Sequence, residues 1–285
     1  MPLPLPLAPP SALDYFAALV ADDDGFALLE AAASIAQDEA PGTDVQAVLD
    51  EVDRLASRLL LRLPTDAAPL ARLRALNHYF FDELGFAGNV NDYQDPANSY
   101  LHLVLERRRG IPISLALIYI EIATQVGLHA EGISFPGHFL VKIHLPQGDV
   151  VLDPFTGESL SREELDERLD LVRQASAMRQ AFDVPLSLFL QAASPRDIIS
   201  RMLRNLHVIH RHRGDLPRLL AVLDRQVALE PADWDTRRAR GDLLAQLERP
   251  QDAAADWAAY LEHTPAATDA EQLRQRIDAA RGARH

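Results

Sequence analysis

The 285-residue sequence contains no cysteine. That absence removes disulfides, thiolate nucleophiles and cysteine-ligated zinc in one step. Positive charge is scarce too: 28 lysines and arginines stand against 42 aspartates and glutamates, a formal net charge of −14. Phosphate backbones and anionic bilayers repel so acidic a chain, so neither nucleic acid nor membrane is expected as the main partner. Long apolar runs are also missing. The most apolar stretch, Ile111 to Ala123, contains Pro112 and Glu121 and is shorter than the roughly 20 residues a bilayer demands. The N-terminal MPLPLPLAPP has no basic residue ahead of its leucines, and its prolines favour polyproline geometry over a signal helix. A cytoplasmic location is the expectation.

What is present describes a globular protein. Hydrophobic residues make up 48% and charged residues 25%, over a length that suits one large domain or two ordinary ones. From residue 11 to about 90 the pattern is helical. Thr43 and Gln46 form a capping box ahead of Val45, Val48, Leu49, Val52, Leu55 and Leu59 at helical spacing. A second stripe, Leu70, Leu73, Leu76, Phe80 and Leu84, stops at Gly85, and His78 on it reads as a half-buried packing residue. SYLHLVLERRRG predicts a short helix ended by Gly110. Pro112 then suits the first turn of a helix reaching Gln125 and apolar nearly all round, which marks a central helix packed on several sides.

After Gly127 the period changes. AEGISF, HFLVKIHL and DVVLDPF read as short strands, the last two joined around Pro146 to Asp149. For any even-numbered loop, the residue opposite His138 is 153, 155 or 157, so His138 and Asp153 face the same side of the sheet. Ser161 and Glu164 cap a further helix. From Ser194 onward Pro231 and Pro265 stand 34 residues apart, with Gly241 and Ala253 where a helical hairpin of that period needs small residues. This resembles about two tetratricopeptide repeats, spanning helices near 198–212, 216–230, 235–247 and 251–263, with a further helix able to cover the end of the stack.

Ser114 at the mouth of the central helix, His138 opening a strand and Asp153 closing the next supply a nucleophile, a base and an orienting group in chain order. The segments NSYLHLVLERRRGIPISLALIY, GISFPGHFLVKI and VVLDPFTGE, followed by the repeats, resemble the SirB-type proteins over roughly residues 40 to 270. These proteins join a transglutaminase-like domain to C-terminal tetratricopeptide repeats. The resemblance implies an α+β, papain-like core, with a central nucleophile-bearing helix on an antiparallel sheet that carries His and Asp. Taken with the residue pattern, it divides the chain into four segments: a flexible Pro-rich tail (1–10), a helical region (11–95), the transglutaminase-like core (96–192) and the repeats (194–285). Carried over, Ser114 takes the place of the family's nucleophilic cysteine, His138 that of the base and Asp153 that of its orienter.

The replacement matters chemically. A helix N-terminus favours an anion by ~0.3–1 kcal/mol, up to ~2 when partly buried. At about 1.36 kcal/mol per pKa unit, that lowers a pKa by roughly one unit. One unit suffices to activate a thiol but leaves an alcohol un-ionised, and no strained G-x-S-x-G elbow surrounds Ser114. The leading expectation is therefore a protein-interaction or regulatory pseudoenzyme with a repeat surface for a protein partner. The alternative is a serine-dependent amidase, protease or acyltransferase using Ser114, His138 and Asp153. Arg201, Arg204, Arg211 and Arg213, the one basic stretch, are candidates for receiving an acidic partner segment. Arg107 to Arg109 read as structural ion-pair partners. His207, His210 and His212 lie close in sequence, but no carboxylate is well spaced with them, so neither metal nor cofactor is expected. The sequence specifies no oligomeric state.

Overall fold

Local capping sets where most helices begin. In the computed structural model, which describes residues 10–22, 25–175 and 185–282, α1 (Ala12–Leu19) starts at a reciprocal box: the Ser11 hydroxyl accepts from the Asp14 N–H while the Asp14 carboxylate accepts from the Ser11 N–H. The expected Pro-rich tail lies outside these residues except for Pro10. α2 (Leu28–Ser34) has no side-chain cap. α3 (Val45–Leu60) begins at Asp44 rather than at the expected Thr43–Gln46 box. The Asp44 carboxylate accepts from the Ala47 N–H at 3.2 Å and satisfies the same orphan donor. α4 (Pro69–Asn77) runs into a π-helical turn, His78–Glu83. His78 is not half-buried there. Its side chain is 65% exposed, and its Nδ1 lies 2.9 Å from Asp82 Oδ2 one turn on, a partner at helical spacing.

A two-residue strand, β1 (Ala87–Gly88), pairs in parallel with β2 (Arg109–Gly110), and α5 (Leu101–Arg107) lies between them in sequence. α5 ends before the expected Gly110, because Arg108 itself takes the left-handed conformation at φ 55°. Gly110 instead serves a close approach described below. α6 (Pro112–Gln125) is the central helix, with Leu115, Ala116, Ile118, Tyr119, Ile122 and Ala123 wholly buried. It packs against α3 and against an antiparallel sheet of β3 (His129–Ile133), β4 (Leu140–Leu145), β5 (Gly148–Leu152) and β6 (Ser159–Leu160), neighbours in that order. Both parities of the sheet bury apolar side chains. Val141, Ile143 and Leu152 occupy one, while Ile133, Leu140 and Val151 pack with Leu165 and Leu169 of α7 (Arg162–Ala175) and Leu186 of α8 (Leu186–Phe189). The Ser161–Glu164 box opens α7 as the sequence implies.

α9 (Pro195–Arg213) leads into α10 (Leu216–Leu229), α11 (Trp234–Gln246), α12 (Pro250–His263) and α13 (Ala270–Gly282). α10 and α12 have equal length and starts 34 residues apart (250 − 216), the period read from the prolines. Successive helices from α10 to α13 pack on one another. A methyl group on Gly241 would sit 2.9 Å from the Trp257 ring, so only glycine permits that approach of α11 to α12.

The described residues divide into two compact units. One holds residues 27–36 and 42–202. The other holds the described residues before 27, residues 37–41 and those from 203 onward. In the second unit α1 packs on α10: Phe16 is wholly buried beneath the Arg225 guanidinium, which lies 4.8 Å from its ring centre and pairs with Asp38. Among the described residues no helix is long and apolar enough to cross a membrane.

Candidate functional site

The β4–β5 hairpin turns over Pro146 and Gln147, pairing Leu145 with Gly148 and Val141 with Leu152. Extended by parity, this register puts His138 and Asp153 on one side of the sheet, at its open end. A turn through Gly137 (φ 72°) leads into His138, whose N–H donates to the Phe135 carbonyl at 3.0 Å. The His138 Nε2 lies 2.8 Å from Asp153 Oδ1.

Asp153 is only 1% exposed. Its Oδ1 also accepts from the Phe155 N–H at 3.0 Å, and its Oδ2 accepts from Arg168 of α7 at 2.9 Å. Burial pushes the Asp153 carboxyl up, but bonds to and charge on His138, with Arg168 and the Phe155 N–H, outweigh it and hold the group below the usual carboxylate range. The imidazole is half-buried, and its Nδ1 has no hydrogen-bond partner among the described residues. With Nε2–H donated to the carboxylate, Nδ1 is left to hydrogen-bond a ligand.

Ser114 is bonded to backbone groups instead. It sits in the first turn of α6, wholly buried. Its hydroxyl donates to the Asn98 carbonyl at 2.6 Å, with the Ile111 carbonyl at 3.0 Å, and accepts from the Ile111 N–H at 3.2 Å. Gly110 closes the niche, since a methyl group there would meet the Ser114 Oγ at 2.7 Å. Among the described hydrogen bonds none joins Ser114 to His138. The structure thus brings His138 and Asp153 together and ties Ser114 to backbone.

Several residues that shape the site carry no sequence signal. Asn98 holds the loop before α5 in place by donating to the Asp92 carbonyl at 2.7 Å and accepting from the Asn89 side chain at 3.0 Å. Phe155 links that loop to the pair: its ring lies 6.0 Å from Tyr93 and 6.4 Å from His138, and its carbonyl accepts from the Gly88 N–H. Arg168 belongs to an amphipathic stretch where one arginine looks like any other. Only the DPF run, quoted above for its resemblance, hinted at Phe155.

The basic stretch lies on α9. Arg201 donates to the Ser134 hydroxyl at 2.9 Å and to the Phe135 carbonyl at 3.2 Å, and stacks over Phe139. Arg204, Arg211 and Arg213 are exposed. Val208, 62% exposed, shares a helix face with Arg204 and Arg211 by its spacing. His207 meets Gln226 at 3.2 Å, His210 is buried and His212 exposed. Arg107 pairs with Asp95, Arg108 with Glu51, and Arg109 donates to the Gly85 carbonyl, all structural contacts.

A central helix packed on an antiparallel sheet that bears a His–Asp pair is the transglutaminase-like arrangement. A family model described as transglutaminase-like superfamily matches residues 46–204, and the chain belongs to that superfamily. A tetratricopeptide repeat follows over residues 206–278, giving the domain order of SirB-type proteins. The chain is 37% identical over 254 residues to a UPF0162 protein of Xylella fastidiosa (strain 9a5c), covering 89% of each. It is 26% identical over 234 residues to Protein SirB1 of Salmonella typhimurium, covering 82% of this chain and 85% of that one. F-box only protein 21 of Homo sapiens is 49% identical over 70 residues, 25% of this chain and 11% of that protein.

Proposed function

We propose that this chain is a cytoplasmic interaction or regulatory protein, in which the transglutaminase-like domain performs no nucleophilic chemistry and the repeat helices receive a protein partner. The observation that supports it most is the engagement of Ser114. A hydroxyl has one proton to give, and this one is already given to the Asn98 carbonyl inside a closed niche. Attack on a carbonyl substrate would require breaking the cap of the central helix. The half-buried His138, held by Asp153, then serves as a fixed hydrogen-bonding group for a ligand rather than as a base for a serine. On the repeat side, Arg204 and Arg211 with Val208 between them, and Arg213 nearby, suit an acidic segment that carries an apolar residue. Arg201 is engaged elsewhere.

The second reading, a serine-dependent amidase, protease or acyltransferase, draws on the His138–Asp153 pair at 2.8 Å. Turnover of a broad panel of amides and esters by wild type against Ser114→Ala separates the two. The expected result is no activity that the alanine variant abolishes. Reproducible turnover lost in Ser114→Ala would establish the serine enzyme instead. Charge reversal of Arg204 and Arg211 is expected to weaken salt-sensitive capture of acidic peptides without lowering the melting temperature. Unchanged capture would remove the repeat arginines from the partner surface.

A further inference from the structure

β3 begins His129-Ala130-Glu131, and the period of two puts His129 and Glu131 on one face of the sheet. In the β3–β4 register His144 lies directly opposite His129 and Lys142 opposite Glu131; in the β4–β5 register Asp149 lies opposite His144. Two imidazoles and a carboxylate, donors used by zinc-class ions, therefore meet at the turn end of the hairpin, the end away from His138 and Asp153. The Glu131 carboxylate reaches within 3.0 Å of His144 Nε2 and 3.5 Å of His129 Nε2. One ligand atom from each of the three residues falls within 4.8 Å of the others. Two ligands at tetrahedral zinc distances stand roughly 3.4 Å apart, so small side-chain rotations close this triangle on an ion.

We propose that His129, Glu131 and His144 bind a divalent transition-metal ion of the zinc class, leaving a fourth position open to water or a partner's side chain. Two features distinguish this set from a chance surface cluster. The His144 Nδ1 is held by Asp149 Oδ1 at 2.8 Å, the carboxylate–histidine support that fixes a ligating imidazole with Nε2 facing the metal. The strands themselves, rather than flexible loops, set the ligand spacing, because His129 and His144 are register partners with ring centres 4.5 Å apart. Lys142 opposes binding: its ammonium lies 3.3 Å from Glu131 Oε2 and donates also to the Leu190 carbonyl. Glu131 and Asp149 together outweigh that single positive charge.

The test is a titration of the full chain with Co²⁺ alone, followed by visible absorption. Saturation at one ion per chain is expected, with the intense band of a four-coordinate His/carboxylate site. Affinity should fall tenfold or more in His129→Ala, His144→Ala and Glu131→Gln, and about tenfold in Asp149→Asn. His78→Ala, another exposed histidine beside a carboxylate, should change nothing. His129 is 69% exposed in its side chain, so its alanine variant keeps the fold and decides the matter even if His144→Ala does not fold. No band in wild type, or an affinity that survives His129→Ala, overturns the proposal.

Discussion

Ser114 Oγ donates to the carbonyl of Asn98, 16 residues earlier, at 2.6 Å and so pins the loop before α5 to the first turn of the central helix. Ser114→Ala leaves that carbonyl and the Ile111 N–H without this partner in a buried place. The cost expected is about 1–2 kcal/mol, read as a shift in urea midpoint. Ser114→Cys should react with iodoacetamide more slowly than free cysteine, because the niche is closed. Fast alkylation would mean that the niche opens towards His138.

Asp153 should make stability depend on acid. Its folded pKa lies below the ordinary value, so its contribution is complete above the unfolded pKa of about 3.9 and is lost as pH falls through the lower folded value. Asp153→Asn should destabilise by about 2 kcal/mol at neutral pH, less than a fully buried pair because Arg168 and His138 are partly solvated. The variant's stability should then vary less than wild type below pH 4. Parallel acid dependence in both proteins would contradict this assignment.

Two glycines are held by contact rather than by turn geometry. On Gly88 a methyl group would lie 2.3 Å from the Phe155 ring, and on Gly110 2.7 Å from the Ser114 Oγ. Either alanine should cost about 1–3 kcal/mol. Because Ser114→Ala removes the obstructing oxygen, the Gly110→Ala/Ser114→Ala pair should be less destabilised than the sum of its singles. Strict additivity in chemical denaturation would show that Val104 and Leu115, at 3.1 and 3.2 Å, set the cost instead.

Arg225 is wholly buried, paired with Asp38 and stacked on Phe16. Either substitution breaks a buried ion pair, so Arg225→Ala and Asp38→Ala should each destabilise the repeat-containing unit by about 3–5 kcal/mol. The double variant should lose less than the two losses together. Hydrogen exchange confined to α1 and α10 would locate the effect.

Features that depend on near neighbours are legible in the order of residues alone. Apolar residues all round α6 required a central helix, and the 34-residue spacing of prolines required helical hairpins of that period. Strand alternation alone placed His138 and Asp153 on one face, whatever even loop joined them. These follow because helix period, capping and pleat are fixed within a few residues. Long-range packing sets the rest. Whether Ser114 is a nucleophile or a cap depends on which carbonyl reaches it, and Asn98 arrives there through the packing of a loop. The grouping of α1 with α10 rests on Arg225 and Asp38, 187 residues apart. Ligands spaced along one helix show in the residue order, whereas His129, Glu131 and His144 meet only through strand register. A hydroxyl, a guanidinium or an imidazole has the same local signature wherever it stands, and its partner is chosen by chain segments that only folding brings within 3 Å.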